Sequence, residues 1–310
     1  NNWAYYAALR LAIRSHRTGG LVLVLVGVLT GLLNALAYAQ LAGTTEAERQ
    51  AFARQMALFG KQVSYLLPAP VDLDTMGGFL TWRAFSTFGL LYAMWAGLAA
   101  TGLGRGDEER GLPEHWLASG VSRARWLLTR AAGFAVVSLM VAIATVLATA
   151  AGAAVVGDTL PAGALVIEVV LLWALGLAVF GLGLVIAQLV ITRRGAGSLA
   201  AVTIIGLFVL NSASRSGLDA GAARWLSPFA LFERSAPLLR GAPFDAAATL
   251  VLVTSGALLA LLALAAFVRR DLGGSVLGKR APYATPTRAP SDDRLRRLPS
   301  SPFGLEDVVA

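Results

Sequence analysis

"AFSTFGLLYAMWAGLAATGLGRGDEERGLPEHWLASGVSRARWLLTRAAGFAVVSLMVAIATVLATAAGAAVV", residues 84–156, places two apolar runs on either side of a charged stretch. Ala84–Leu103 and Ala131–Val156 are each long enough to cross a bilayer as a helix, since about 20 apolar residues cover roughly 30 Å of hydrocarbon. Between them lie Asp107, Glu108 and Glu109, then Pro113, the turn-like HWLASG and a run of arginines. Both ends of this stretch enter the membrane from the same side. The charged segment is therefore a hairpin on one membrane face, and its charges need a reason.

The pattern repeats along the chain. Leu21–Leu41, Ala162–Ile191 and Ala247–Val268 are further full-length spans, and Leu199–Ala213 is a shorter one. The 310 residues are 56% hydrophobic and only 14% charged, far from the balance of a soluble domain. The expected fold is an all-α integral membrane protein with six transmembrane helices. No cysteine occurs, which excludes disulfides and thiolate chemistry. The net charge of +8 would suggest nucleic acid for a soluble protein. In a membrane chain it is better read as basic loops held against anionic lipid, with no nucleic-acid partner. Arg10, Arg14, Arg17, the arginines of 105–130, Arg193, Arg194 and those from Arg269 onward favour both termini in the cytoplasm.

Three regions fill out the layout. Residues 1–20 read as an N-terminal interfacial helix, with Arg10, Arg14 and Arg17 on one face, Tyr6, Leu9 and Ile13 on another, and a bend at Thr18-Gly19-Gly20. Residues 21–270 form the six-helix domain, with a coupling loop at 104–130. On the outer side, 214–246 is too apolar for a solvated loop and reads as a re-entrant hairpin beside the short fifth span. Residues 271–310 are rich in Pro, Gly, Ser and Arg and read as a flexible tail or linker. Rows of small residues (Gly27, Gly31, Ala35; Gly89, Ala93, Gly97, Thr101; Ala144, Ala148, Gly152) point to a tightly packed bundle.

Catalytic sets are lacking. His16 and His115 both fall on the cytoplasmic side, and neither a metal-ligand spacing nor a Ser/His/Asp set assembles at membrane depth. Glu168 is the one acid within an apolar run, a candidate intramembrane acid, although its position close to the start of the run favours the outer interface. Gly273–Arg280 fits a phosphate-loop spacing, but Arg280 stands where a Ser or Thr is needed and Pro282 follows, so the chain itself binds no nucleotide.

The hairpin carries its own signals. Pro113 suits a first helical turn, the preceding acids and Glu114 suit a helix N-terminus, and Gly120 suits a stop. Ser122 is placed to cap a new helix that runs through Trp126 into the third span. The result is a short helix held across the membrane face, with His115, Trp116 and Leu117 on it. Three adjacent acids are repelled by an anionic leaflet, which favours a protein partner.

This segment resembles type 2 ATP-binding-cassette exporter permeases, in which E-E-x-G leads to E-x-x-L-A and then V-S-R. The matching positions are Glu108, Glu109, Gly111, Glu114, Leu117, Ala118, Val121, Ser122 and Arg123. MGGFLTWRAF before the second span, LSPF after the fifth and RRDLGG after the sixth resemble permeases identified as exporters of polyketide antibiotics. The resemblance implies six spans per half, a re-entrant outer hairpin, a second permease half, and a separate ATPase subunit, in two copies, carrying ATP and Mg. It implies docking of that subunit through Asp107, Glu108, Glu109, Gly111, Glu114, Trp116, Leu117, Val121, Ser122 and Arg123. The chain would then move a small hydrophobic or amphipathic compound across a bacterial or archaeal plasma membrane. Phe88, Tyr92 and Trp95 are candidates to line its path. The competing readings are an ion-coupled secondary transporter, which would rest on Glu168, and a membrane scaffold in an ATPase complex.

Overall fold

The computed structural model describes residues 2–217, 221–272 and 274–277, without the side chains of 2–9, 11 and 61; every regular element in it is helical. In chain order these are α1 (Asn2–Leu41), α2 (Glu46–Gln62), α3 (Met76–Glu109), α4 (Leu112–Ala118) and α5 (Arg123–Val155). Then follow α6 (Ala162–Leu189), α7 (Arg193–Arg215), α8 (Pro228–Phe232) and α9 (Ala246–Arg269). Six of them, α1, α3, α5, α6, α7 and α9, are long and apolar enough to cross a membrane, and the chain is a multi-pass, all-α membrane protein. The Tyr6 and Leu9 side chains and residues 278–310 lie outside the described residues, as do Gly273 and Gly278, Lys279 and Arg280 of the phosphate-loop-like spacing.

Four boundaries differ from the sequence expectation. The bend at Thr18–Gly20 is absent, because α1 runs unbroken through it. Its two glycines serve close packing instead: a Cβ on Gly19 would lie 2.7 Å from Trp95 Nε1, and one on Gly20 2.7 Å from Val137 Cγ1. The second span does not stop at Leu103; α3 continues to Glu109 through a π-helical turn at Gly102–Gly106, because its charged residues turn inward and find partners. The fifth span is not short. α7 starts at Arg193, where Thr192 Oγ1 accepts the Gly195 N–H at 3.1 Å, and its 23 residues reach about 34 Å. Finally, the chain after α9 folds back rather than departing at once, with the Val276 N–H donating to the Gln188 carbonyl at 2.9 Å.

The bundle packs backbone on backbone. Gly27 faces Thr145, Gly31 faces Thr149 and Ala35 meets Gly152, so α1 and α5 run parallel in close register. The α5 face is thus Thr145, Thr149 and Gly152, one residue round from the expected Ala144, Ala148 and Gly152. α6 is the most buried of the six and packs against α3, α5, α7 and α9, with Phe180 stacked on Phe134 at 3.8 Å. The segment after α7 returns into the bundle as expected. Ser227 donates to the Leu207 carbonyl, two turns inside α7, at 2.9 Å, and Phe229 and Phe232 are buried among α6, α7 and α9. The start of α1, helix α4 and the end of α9 all lie at one end of the bundle, called here the charged end.

At the far end, Asp245 caps α9 by accepting the Ala248 N–H at 2.9 Å, and it also pairs with Arg234. These bonds, the Ala248 amide first, hold the Asp245 carboxyl below its ordinary value. A lowered folded pKa means the cap is in force above the ordinary carboxylate range and is lost as pH falls through the lowered value. Asp245→Ala is expected to lower hydrogen-exchange protection in the first turn of α9 at neutral pH. Acidification is expected to do the same to the unmodified chain, and to leave the variant's already reduced protection there unchanged.

Candidate functional site

At the charged end, α4 is set by two left-handed glycines. Gly111 has φ 69° and donates its N–H to the Glu108 carbonyl at 3.0 Å, turning the chain out of α3. Pro113 occupies the first turn, where its missing N–H costs nothing. Gly120, at φ 87°, donates to the Leu117 carbonyl at 3.0 Å and ends the helix. Ser122 then accepts the Arg125 N–H at 3.3 Å as the cap of α5. The short helix, its stop and the cap of α5 all stand where the sequence placed them.

Helix α4 presents two faces. Pro113 is buried, and Trp116 packs on Trp126 of α5 with ring centroids 5.9 Å apart. Leu112, Trp116 and Val121 rest against the core. Glu114, His115 and Ala118 are exposed on the opposite face, and Ser119 adjoins them. Of the expected docking residues on α4 itself, Glu114 is the one whose charge points outward; Leu117 is half-buried and Gly111 forms the turn before the helix. His115 and Ser119 were not singled out as contacts from the sequence, though Ala118 lies three residues from His115 and four from Glu114, the spacings that bring helical side chains together on one face.

Asp107 and Glu108 are corrected: they point into the protein, 2% and 8% exposed. Asp107 pairs with Arg130 of α5, and Arg110 lies 3.9 Å away. Glu108 accepts from Arg105 at 3.0 Å and is clasped by both terminal nitrogens of Arg270, which follows α9. Arg105, 1% exposed, also donates to the Ala187 carbonyl of α6 at 2.8 Å and to the Gly274 carbonyl at 2.6 Å. Arg270 reaches Gln188 of α6 at 2.8 Å, and Arg123 donates to the Arg270 carbonyl at 2.6 Å. Glu109 is exposed, yet its carboxylate accepts the Arg193 N–H at 2.5 Å, holding the N-terminus of α7. Asp107 and Glu108 thus have internal arginine partners and Glu109 a backbone amide, which removes the argument that their number alone requires an outside protein.

This cluster joins α3, α5, α6, α7 and α9 directly behind α4. Buried ion pairs of this kind gain little net stability over apolar packing, but each partner makes the other indispensable. Their bonds also fix five helix ends in one geometry, so a displacement of α4 has a stiff frame to act on.

Two expected path residues are also corrected. Phe88 and Tyr92 are fully buried; Tyr92 donates to the Ser138 carbonyl at 2.7 Å and lies 5.8 Å from Phe88. They are packing between helices. Trp95 continues the aromatic row toward Phe134 at 5.1 Å, but it borders a cavity at the charged end. Glu168 sits in the second turn of α6 yet faces inward, 2% exposed, and makes no hydrogen bond or ion pair among the described residues. The interface reading gave it a wet carboxylate; the side chain is instead enclosed by the bundle.

Residues 8–272 match the family model described as "ABC-2 family transporter protein". No curated protein matches the chain.

Proposed function

The chain belongs to the ABC-2 transporter family, and from that membership we propose that it is the permease half of an exporter driven by ATP hydrolysis on a separate subunit. The carrying observation is α4: a short helix stopped at both ends by left-handed glycines, anchored by Trp116, and offering Glu114, His115 and Ala118 outward. In this reading the charged end faces the cytoplasm of a bacterial or archaeal cell, as do both termini. Two ATPase copies, each binding ATP and Mg, dock on the α4 helices of this half and a second half, supplied by another copy or by a different permease half. Closure of the ATPase pair pushes α4, and the Asp107, Glu108, Arg130 and Arg270 pairings pass the displacement to α3, α5 and α9. Such a lever works only if nucleotide binding favours one of two states of the helices.

The cargo is a hydrophobic or amphipathic compound. The resemblance of MGGFLTWRAF, LSPF and RRDLGG to polyketide-antibiotic exporters makes compounds of that class the first to try.

The test is purification with the co-expressed ATPase subunit. Glu114→Arg and Ala118→Trp alter only the outward face and are expected to reduce co-purification and stimulated ATP hydrolysis at least tenfold, with the melting temperature of the isolated chain unchanged. Intact complex and hydrolysis in both variants would remove α4 from the docking role. Enclosed Glu168 is the observation favouring ion coupling instead; transport that persists without the ATPase and disappears in Glu168→Gln would establish that reading.

A further inference from the structure

A cavity of about 250 Å³ opens at the charged end between α1, α3, α5 and α7. Its wall is basic. Arg110, Arg130 and Arg193 line it against one acid, Asp107, which is already bonded to Arg130 and lies near Arg110. The Arg193 guanidinium makes no salt bridge among the described residues, although its chain passes within 3.0 Å of where a Cβ on Gly106 would sit. His16 also lines the cavity. It is 7% exposed, and its Nε2 has no hydrogen-bond partner among the described residues.

An enclosed, unpartnered imidazole nitrogen carries a desolvation cost unless something bonds to it. A tautomer with the proton on Nε2 makes it a donor, beside arginines that donate as well. Trp95, Leu98, Ala99 and Leu103 form an apolar wall, and Ser15, whose hydroxyl already donates to the Ala12 carbonyl, lies beside His16. The floor is the π-helical turn at Gly102, where a Cβ would meet nothing within 4 Å. Turns of this kind open a helix and are frequent at functional sites. Donors of one sign, a surplus of positive charge and an aromatic side wall suit an anionic group attached to an apolar chain. The volume is that of a headgroup; a drug-sized ligand needs roughly 300–1,000 Å³.

We propose that this cavity binds the anionic group, a phosphate or carboxylate, of an amphipathic molecule, with His16 and Arg193 as donors and the apolar part lying along Trp95. The proposal rests on the permease reading, and it assigns to the cargo or to an accessory lipid a negatively charged head. Either source has the same chemistry: a free amphiphile from the cytoplasm, or a lipid of the inner leaflet.

Binding to the purified full chain, without any ATPase, tests it. The probes are dodecyl phosphate as the free amphiphile, phosphatidylglycerol as the anionic lipid, and phosphatidylcholine and dodecyl glucoside as uncharged or zwitterionic controls. One or both anionic probes are expected to bind at least tenfold more tightly than the controls. Arg193→Gln and Gly102→Trp, the second filling the cavity from a position with open space before it, are each expected to weaken that binding at least tenfold at unchanged melting temperature. Preference for dodecyl phosphate alone places a free amphiphile in the site; phosphatidylglycerol displacing dodecyl phosphate places a lipid there, and either result supports the proposal. Equal binding of anionic probes and controls overturns it, and so does binding unaltered in both variants. Because the ATPase is absent, such a failure leaves the docking result at α4 standing, and failure of docking leaves this result standing.

Discussion

Glu108→Ala is expected to destabilise the purified chain by about 3–5 kcal/mol, the range for removing one partner of a buried ion pair. Glu108 is 8% exposed and receives Arg105 and Arg270 together; without it two guanidiniums remain inside with only carbonyl and amide acceptors. Neither arginine can swing to water without giving up other bonds, since Arg105 also holds Ala187 and Gly274, and Arg270 holds Gln188. The loss is therefore a stranded charge as well as a missing contact. Thermal unfolding in detergent measures it, with Glu114→Ala on the exposed face of α4 as the control expected to melt like the wild type. Glu108→Gln should fall between them, because an amide keeps one acceptor oxygen but not the charge. A Glu108→Ala variant as stable as the wild type would show that the cluster does not hold the helix ends together.

The contrast between α4 and that cluster shows what the sequence carried. Pro113, Gly120 and Ser122 act on their own backbone within four residues, so their positions alone announce the start, the stop and the next cap. Asp107 and Glu108 belong to pairings across the chain: Glu108 meets Arg270 at a separation of 162 residues, and Arg105 meets Ala187 at 82. Nothing local distinguishes an acid that will find a distant arginine from one that faces a partner protein. The same limit explains Gly19 and Gly20. A glycine pair suits a bend or a close approach equally well, and the choice was made by Trp95 and Val137 on other helices. Phe88 and Tyr92 were likewise legible as aromatic and helical, but not as enclosed. The six spans survived these errors because bilayer-length apolar runs depend on no partner at all; what changed was where each helix ended, and those ends are where the candidate site lies.

The second large effect is expected in the middle of the bundle, at Gly256. Here α9 lies against α6 backbone to backbone: a Cβ on Gly256 would sit 2.6 Å from the Leu177 carbonyl oxygen and 2.9 Å from the Ala178 nitrogen. Gly181 meets the Gly256 carbonyl oxygen in the same way at 2.5 Å. No side chain is present to rotate aside, so any added carbon must move a helix. Gly256→Ala is expected to cost about 1–3 kcal/mol by overpacking, and Gly256→Leu to prevent recovery of folded chain. Gly206 of α7 is the control, since a Cβ there meets nothing within 4 Å. Gly206→Ala should stabilise by about 0.5–1 kcal/mol through helix propensity alone. Because α9 is one rigid helix carrying Gly256 in its middle and Arg270 just past its end, pushing it off α6 also draws Arg270 away from Glu108 and Gln188. Combining Gly256→Ala with Glu108→Ala should then cost less than the sum of the two by about 0.5–1 kcal/mol, whereas sites this far apart ordinarily add. Strict additivity in that cycle would mean that α9 bends between them, and that the charged end is not mechanically tied to the seam between α6 and α9.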